Sequence, residues 1–174
     1  MFMSGHAKAS STETENVLID GLEFARTGAS VEGTVPVARL ERLADVLSDR
    51  SGGLAWRCSG RVDRDGKGRL RMEVSGRLSL TCQRCLAGLD WPCEVDAEYL
   101  LVADGGAWPE DDLENAECDA IQAGLAMSLW VLIEDEVLLT LPIAPRHEDC
   151  RLPEPAGNRD AASPFAALAG LKKH

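Results

Sequence analysis

The sequence predicts an α+β fold: an antiparallel β-meander with two main helices and disordered termini. Three observations predict it. Apolar and polar residues alternate over 54–62, 70–82 and 91–102, the period of strands with one wet face. Apolar residues recur at helical spacing over 37–47 and 129–139. Polar or linker-like stretches bound this patterned part. They leave a single domain over 16–150, between a leader at 1–15 and a linker with an apolar and basic tail at 151–174.

The elements follow in order. Residues 1–15 are rich in Ser, Thr and Glu and lack the apolar core of a signal peptide. Residues 16–24 alternate weakly and read as an opening strand or extended arm. In 30–37, Val31, Thr34 and Val35 favour extension. Pro36 suits a helix start, because its missing N–H falls among donors unpaired there anyway. Leu40, Leu43, Ala44 and Leu47 then mark an amphipathic helix over about 37–47, ended by Ser51-Gly52-Gly53. A hairpin comes next. Leu54, Trp56, Cys58, Gly60 and Val62 share one parity, Asp65-Gly66 signals the turn, and Leu70, Met72, Val74, Leu78, Leu80 and Cys82 return on the same face. In the third strand Trp91, Cys93, Val95, Ala97, Tyr99 and Leu101 face one way, and Glu94, Asp96 and Glu98 the other. Residues 103–119 form a loop with seven acids and no base, with a short strand expected around 117–121. Ser128 caps a helix over 129–139, which stops before Pro142. That helix is apolar on nearly every side except Glu134, Asp135 and Glu136, so it is expected to be buried or shared with a partner.

The 174 residues are 45% apolar, enough for a core, but only 5% aromatic, so Leu, Val and Ala must fill it. The net charge of −11 repels phosphate at long range. Contact with nucleic acid therefore needs a local basic patch or a partner protein. No run reaches the roughly 18 apolar residues that span a bilayer. A soluble cytoplasmic protein with no membrane partner is expected. Its six cysteines would then stay reduced, which favours metal binding or burial over disulfides.

Two ligand pairs carry the most specific chemistry. Cys82 and Cys85 have knuckle spacing, and His147 and Cys150 have the same two-residue gap. Three thiols and an imidazole make a set for one tetrahedral zinc, the candidate cofactor. The alternative is two unrelated local features, with Cys82 a buried small hydrophobe on the apolar parity. A thioredoxin-like redox role is weaker, because the pair lies between two strands and not at a helix N-terminus. A second pattern is basic. Residues 57–85 hold eight bases and three acids. Arg57, Arg61, Arg69, Arg71 and Arg77 share the outer parity, with Arg84 in the knuckle, and guanidinium groups suit phosphate. Against this, Glu94, Asp96 and Glu98 on the next strand can neutralise them. Glu134, Asp135 and Glu136 lack a histidine at helical spacing and read as a solvated helix edge or a partner contact. No phosphate loop, nucleophile elbow or small-molecule site is visible.

Three blocks together resemble the YceD family, the large ribosomal RNA subunit accumulation proteins of bacteria and plastids. They are Cys82-Gln83-Arg84-Cys85-Leu86, the run from Glu134 through Leu141-Pro142-Ile143-Ala144-Pro145-Arg146-His147 to Cys150, and the terminal Pro164-Phe165-Ala166-Ala167-Leu168-Ala169-Gly170-Leu171-Lys172. The similarity extends from about residue 16 to the end. Ser163 replaces the usual Asn before Pro-Phe, and Ser128 replaces a common Asp; both Ser and Asp can cap a helix. The resemblance implies a non-enzymatic role in 23S rRNA accumulation or processing and large-subunit assembly. Its expected partners are the 23S rRNA precursor or large-subunit ribosomal proteins. The alternatives are an RNA-processing nuclease and a zinc-stabilised interaction module unrelated to rRNA.

Overall fold

The computed structural model describes residues 15–106, 108 and 119–152. Most of the leader, of the acidic loop and of the C-terminal tail, with Cys118 and the terminal Pro-Phe block, lies outside the described residues. A short strand β1 (Leu18–Ile19) leads into helix α1 (Gly21–Thr27) and strand β2 (Ser30–Pro36). Two 3₁₀ turns (Val37–Arg39, Glu41–Leu43) precede β3 (Leu47–Asp49). The long strands β4 (Gly53–Val62), β5 (Gly68–Thr81) and β6 (Gly88–Ala103) follow. The described chain then continues through β7 (Asp119–Ala123), β8 (Met127–Ser128) and α2 (Leu129–Thr140).

The meander stands as predicted. Six strands form one sheet in the order β2-β4-β5-β6-β7, with β3 pairing β5 beyond the end of β4. All pairings are antiparallel except β6 with β7, which is parallel. The alternation decides which face is dry. Leu54, Trp56, Cys58, Leu70, Met72, Val74, Leu78, Leu80, Cys93, Val95, Tyr99 and Leu101 are buried. Helix α1, the 3₁₀ turns and α2 cover that face. Gly60 lets α1 sit directly on β4: a Cβ there would lie 2.5 Å from the Phe24 carbonyl oxygen.

Two expectations need correction. The helix expected over 37–47 is instead two 3₁₀ turns and a strand. Val37, Leu40 and Leu43 are all buried, three residues apart. That interval is the period of a 3₁₀ turn, not the 3.6 of an α-helix. Leu47 is then taken by β5, opposite Leu80. The opening strand expected over 16–24 is confined to Leu18–Ile19, and from Gly21 the chain is α1. Asp20 caps it by accepting from Glu23 N–H at 3.0 Å, and Gly28 ends it at φ 61°. Asp20-x-x-Glu23 with a glycine five residues on was a helix signal that the weak alternation masked. The second helix is as predicted: the Ser128 hydroxyl accepts from Val131 N–H, and Leu129, Ile133 and Val137 are buried. No helix among the described residues is long and apolar enough to cross a membrane.

Candidate metal centre

After Thr81 the chain must reverse to pair Gly88 opposite that same residue. The Cys82 N–H donates to the Ala87 carbonyl and the Leu86 N–H to the Cys82 carbonyl, both at 2.9 Å. Leu86 adopts φ 63°, where side chains other than glycine are uncommon. This tight knuckle meets the segment that follows α2. The Gln83 N–H donates to the Pro145 carbonyl at 2.8 Å. The Arg84 guanidinium donates to the Cys150 carbonyl at 3.1 Å.

The two ligand pairs, far apart in sequence, thereby converge. Cys82 Sγ lies 3.8 Å from Cys150 Sγ, and Cys85 Sγ lies 3.4 Å from His147 Nδ1. All four ligand atoms fall within 4.8 Å of one another. Zn–S bonds of about 2.3 Å in a tetrahedron set sulfurs about 3.8 Å apart, and a Zn–N bond of about 2.1 Å sets S···N near 3.6 Å. The two closest pairs match these spacings, and the 4.8 Å bound on all four atoms puts a tetrahedral metal within reach of small side-chain adjustments. Gly88 settles the histidine tautomer. Its carbonyl lies 3.0 Å from His147 Nε2 and can only accept, so Nε2 carries the proton. In the neutral imidazole that binds a metal, Nδ1 then has its lone pair toward Cys85 Sγ.

The electrostatics agree. Burial opposes ionisation of Cys82, but the N–H groups of Cys85, Arg84 and His147 and the Cys85 thiol together pull it down to about 5. Cys150 moves the other way: burial raises it, and so do the hydrogen bonds its S–H donates to Cys82 and Cys85 and their negative charge. Crowded thiols that hold one another's protons are the arrangement a soft divalent cation relieves. Cys58 contrasts with them, since burial pushes its thiol up to about 12. Burial also raises Cys93, which is a core residue.

The arginines of the hairpin stand in ion pairs. Arg57 pairs with Glu32 at 2.6 Å, Arg61 with Glu98 at 2.8 Å and Arg69 with Asp63 at 2.9 Å. Arg71 pairs with Asp96 at 2.7 Å and reaches Glu73 at 3.6 Å, and Arg77 pairs with Asp90 at 3.0 Å. Asp96 and Glu98 were foreseeable from parity. Glu32, Asp63 and Asp90 were not, because strand order and turn geometry supply them. The acidic triplet is held within the fold, with Glu134 buried and Asp135 partly exposed. Glu134 accepts the Arg42 N–H at 2.7 Å, Asp135 pairs with the Arg42 guanidinium, and Glu136 accepts the Tyr99 hydroxyl at 2.6 Å. Sequence reasoning had no signal for Arg42 or Tyr99 in these roles, since both contacts arise from docking α2.

The family model described as "Large ribosomal RNA subunit accumulation protein YceD" matches residues 70–172. A curated protein of Haemophilus influenzae, "Large ribosomal RNA subunit accumulation protein YceD", is 30% identical over 173 residues. The match covers 89% of this chain and 94% of that protein. No solved structure matches.

Proposed function

This chain belongs to the YceD family, and from that premise we propose that it is a non-enzymatic factor in 23S rRNA accumulation and large-subunit assembly, stabilised by one zinc ion. The family names support a role tied to the large ribosomal RNA. The observation that carries the rest is the convergence of Cys82, Cys85, His147 and Cys150 on one tetrahedral volume. Four protein ligands close a zinc site and leave no open position for substrate, which is the pattern of structural zinc. The ion would clip the segment after α2 to the β5–β6 knuckle. A nuclease reading finds little support in the acidic triplet, whose carboxylates are engaged by Arg42 (Glu134 and Asp135) and by Tyr99 (Glu136).

Gradient sedimentation of the tagged chain tests the assembly role. It is expected to travel with large-subunit precursors, from which crosslinking identifies rRNA or protein contacts. Migration only at the top of the gradient, at low salt, would count against the role. Metal analysis of protein purified without chelator tests the centre separately, with about one zinc per chain expected.

A further inference from the structure

Strand β2 is an open edge. Among the described residues it pairs β4 alone. Gly60 N–H donates to Ala29 and Val37 N–H donates to Gly52, one at each end of this pairing. Antiparallel ladders alternate, so the odd residues of β2 bond to β4. Ser30, Glu32 and Thr34 therefore turn their N–H and C=O groups outward. Pro36 follows the same parity, at a position where no outward N–H is lost to the ladder. An unpaired row of this kind is a template for one more strand.

The wet face beside that edge is concave and acidic. A groove of about 820 Å³ crosses from β2 to β6. Its lining includes four carboxylates, Glu32, Glu73, Glu94 and Asp96; Arg57 in the lining pairs with Glu32, and Arg71 beside it pairs with Asp96 and reaches Glu73, so two guanidinium groups offset part of the acidic charge. Glu94 has no ion pair among the described residues. Glu32 and Thr34 belong to both features, lining the groove and forming the edge. A third observation lies on the other face. Trp56 is 4% exposed, and its Nε1 has no acceptor among the described residues. This nitrogen lies 3.4 Å from where a Gly33 Cβ would stand, so the indole edge reaches the open strand.

We infer that β2 and its acidic groove dock an extended, arginine- or lysine-rich polypeptide segment as a further strand of the sheet. The free ladder supplies backbone pairing, and the groove selects cationic side chains at alternate positions. RNA is disfavoured, because the carboxylates repel phosphate. A second copy of this chain is disfavoured too, because like charges would meet across the new pair. Neither the edge nor its charge depends on the ribosomal reading.

The test uses the full chain and a labelled decapeptide alternating Arg and Val, followed by fluorescence anisotropy. Probes for comparison are a Glu-Val decapeptide and a ten-nucleotide oligouridine. Thr34→Pro removes one outward N–H and leaves the β4 ladder intact. The pair Glu32→Gln and Glu94→Gln removes charge without touching the backbone. Each variant is expected to weaken the Arg-Val peptide by about tenfold. Amides of Ser30, Glu32 and Thr34 should gain exchange protection in the wild-type complex, a readout that stands even if Thr34→Pro fails to fold. No binding of the Arg-Val peptide, equal binding of the Glu-Val peptide, or tighter binding of oligouridine would each overturn the docking edge. So would a dimer that Thr34→Pro dissociates, since the edge would then belong to a second copy.

Discussion

The wet face of the β4–β5 hairpin and the knuckle between β5 and β6 both hold residues whose types suggest function, and folding treats them in opposite ways. Across the hairpin, neighbouring strands and turns bring carboxylates to Arg57, Arg61, Arg69, Arg71 and Arg77. At the knuckle, folding brings like to like: two further ligands join Cys82 and Cys85, with backbone N–H donors around them. A local excess of charge is a property of a segment, and a sheet dilutes it with whatever lies on the adjacent strands. A ligand pair is half of a site, and only convergence on another half gives it meaning.

The largest test of this contrast is removal of the metal. Cys82→Ser with Cys150→Ser should reduce zinc from about one per chain to none and lower the thermal midpoint by about ten degrees. Elemental analysis and calorimetry read the two effects. Cys58→Ala serves as the control and should keep its zinc; loss there would show that the ion does not sit at the knuckle.

Thiol chemistry sharpens the same point. In chelator-treated protein at pH 7, iodoacetamide should modify Cys82 before Cys58, whose thiol stays protonated up to about 12; both are buried, so opening of the knuckle sets the rate at Cys82. Because folding depresses Cys82 to about 5, its thiolate stabilises the metal-free fold fully above the unfolded thiol range. That contribution declines as pH falls and is gone below about 5. Denaturant titrations of metal-free protein from pH 5 to 9 should show stability rising across the window. A flat profile would mean that the N–H donors do not hold a thiolate.

Smaller effects are expected where α2 meets the sheet. Tyr99→Phe deletes the hydroxyl that donates to Glu136 and should cost about 1–2 kcal/mol in urea unfolding. Burial and then the Glu136 hydrogen bond push the Tyr99 phenol up, so it donates across the ordinary pH range. The smallest effects belong to the arginines. Arg71→Ser and Arg77→Ser, in exposed ion pairs, should each change stability by less than about 1 kcal/mol. Arg69→Ser should exceed both, because Arg69 and Asp63 are only 17% and 13% exposed. The triple change of Arg69, Arg71 and Arg77 to Ser should leave co-sedimentation with large-subunit precursors within about twofold, since each of these guanidinium groups is already paired with a carboxylate. A large loss would show that the arginine face is an RNA contact.

Several of these features were legible in the sequence. The two-residue period placed β4, β5 and β6 and chose their dry face, because strand side chains alternate whatever the partner strand is. Ser128 and the apolar run placed α2, because capping and helical burial are local. The ligand spacing marked Cys82, Cys85, His147 and Cys150 as two halves of one tetrahedral set. Only the tertiary structure decided the remainder. Residues 37–47 carry apolar spacing that suits both α and 3₁₀ turns, and the pairing of Leu47 with Leu80 settled the outcome. Some partners of the arginines depended on strand order and turn geometry, which place Glu32 beside Arg57 and Asp63 beside Arg69. The roles of Glu134 and Glu136 depended on how α2 docks, and the proton on His147 depended on the Gly88 carbonyl across the knuckle. Local periodicity and capping act within a few residues and can be read along the chain. Charge pairing, helix docking and ligand convergence act between residues that only the closed fold makes neighbours.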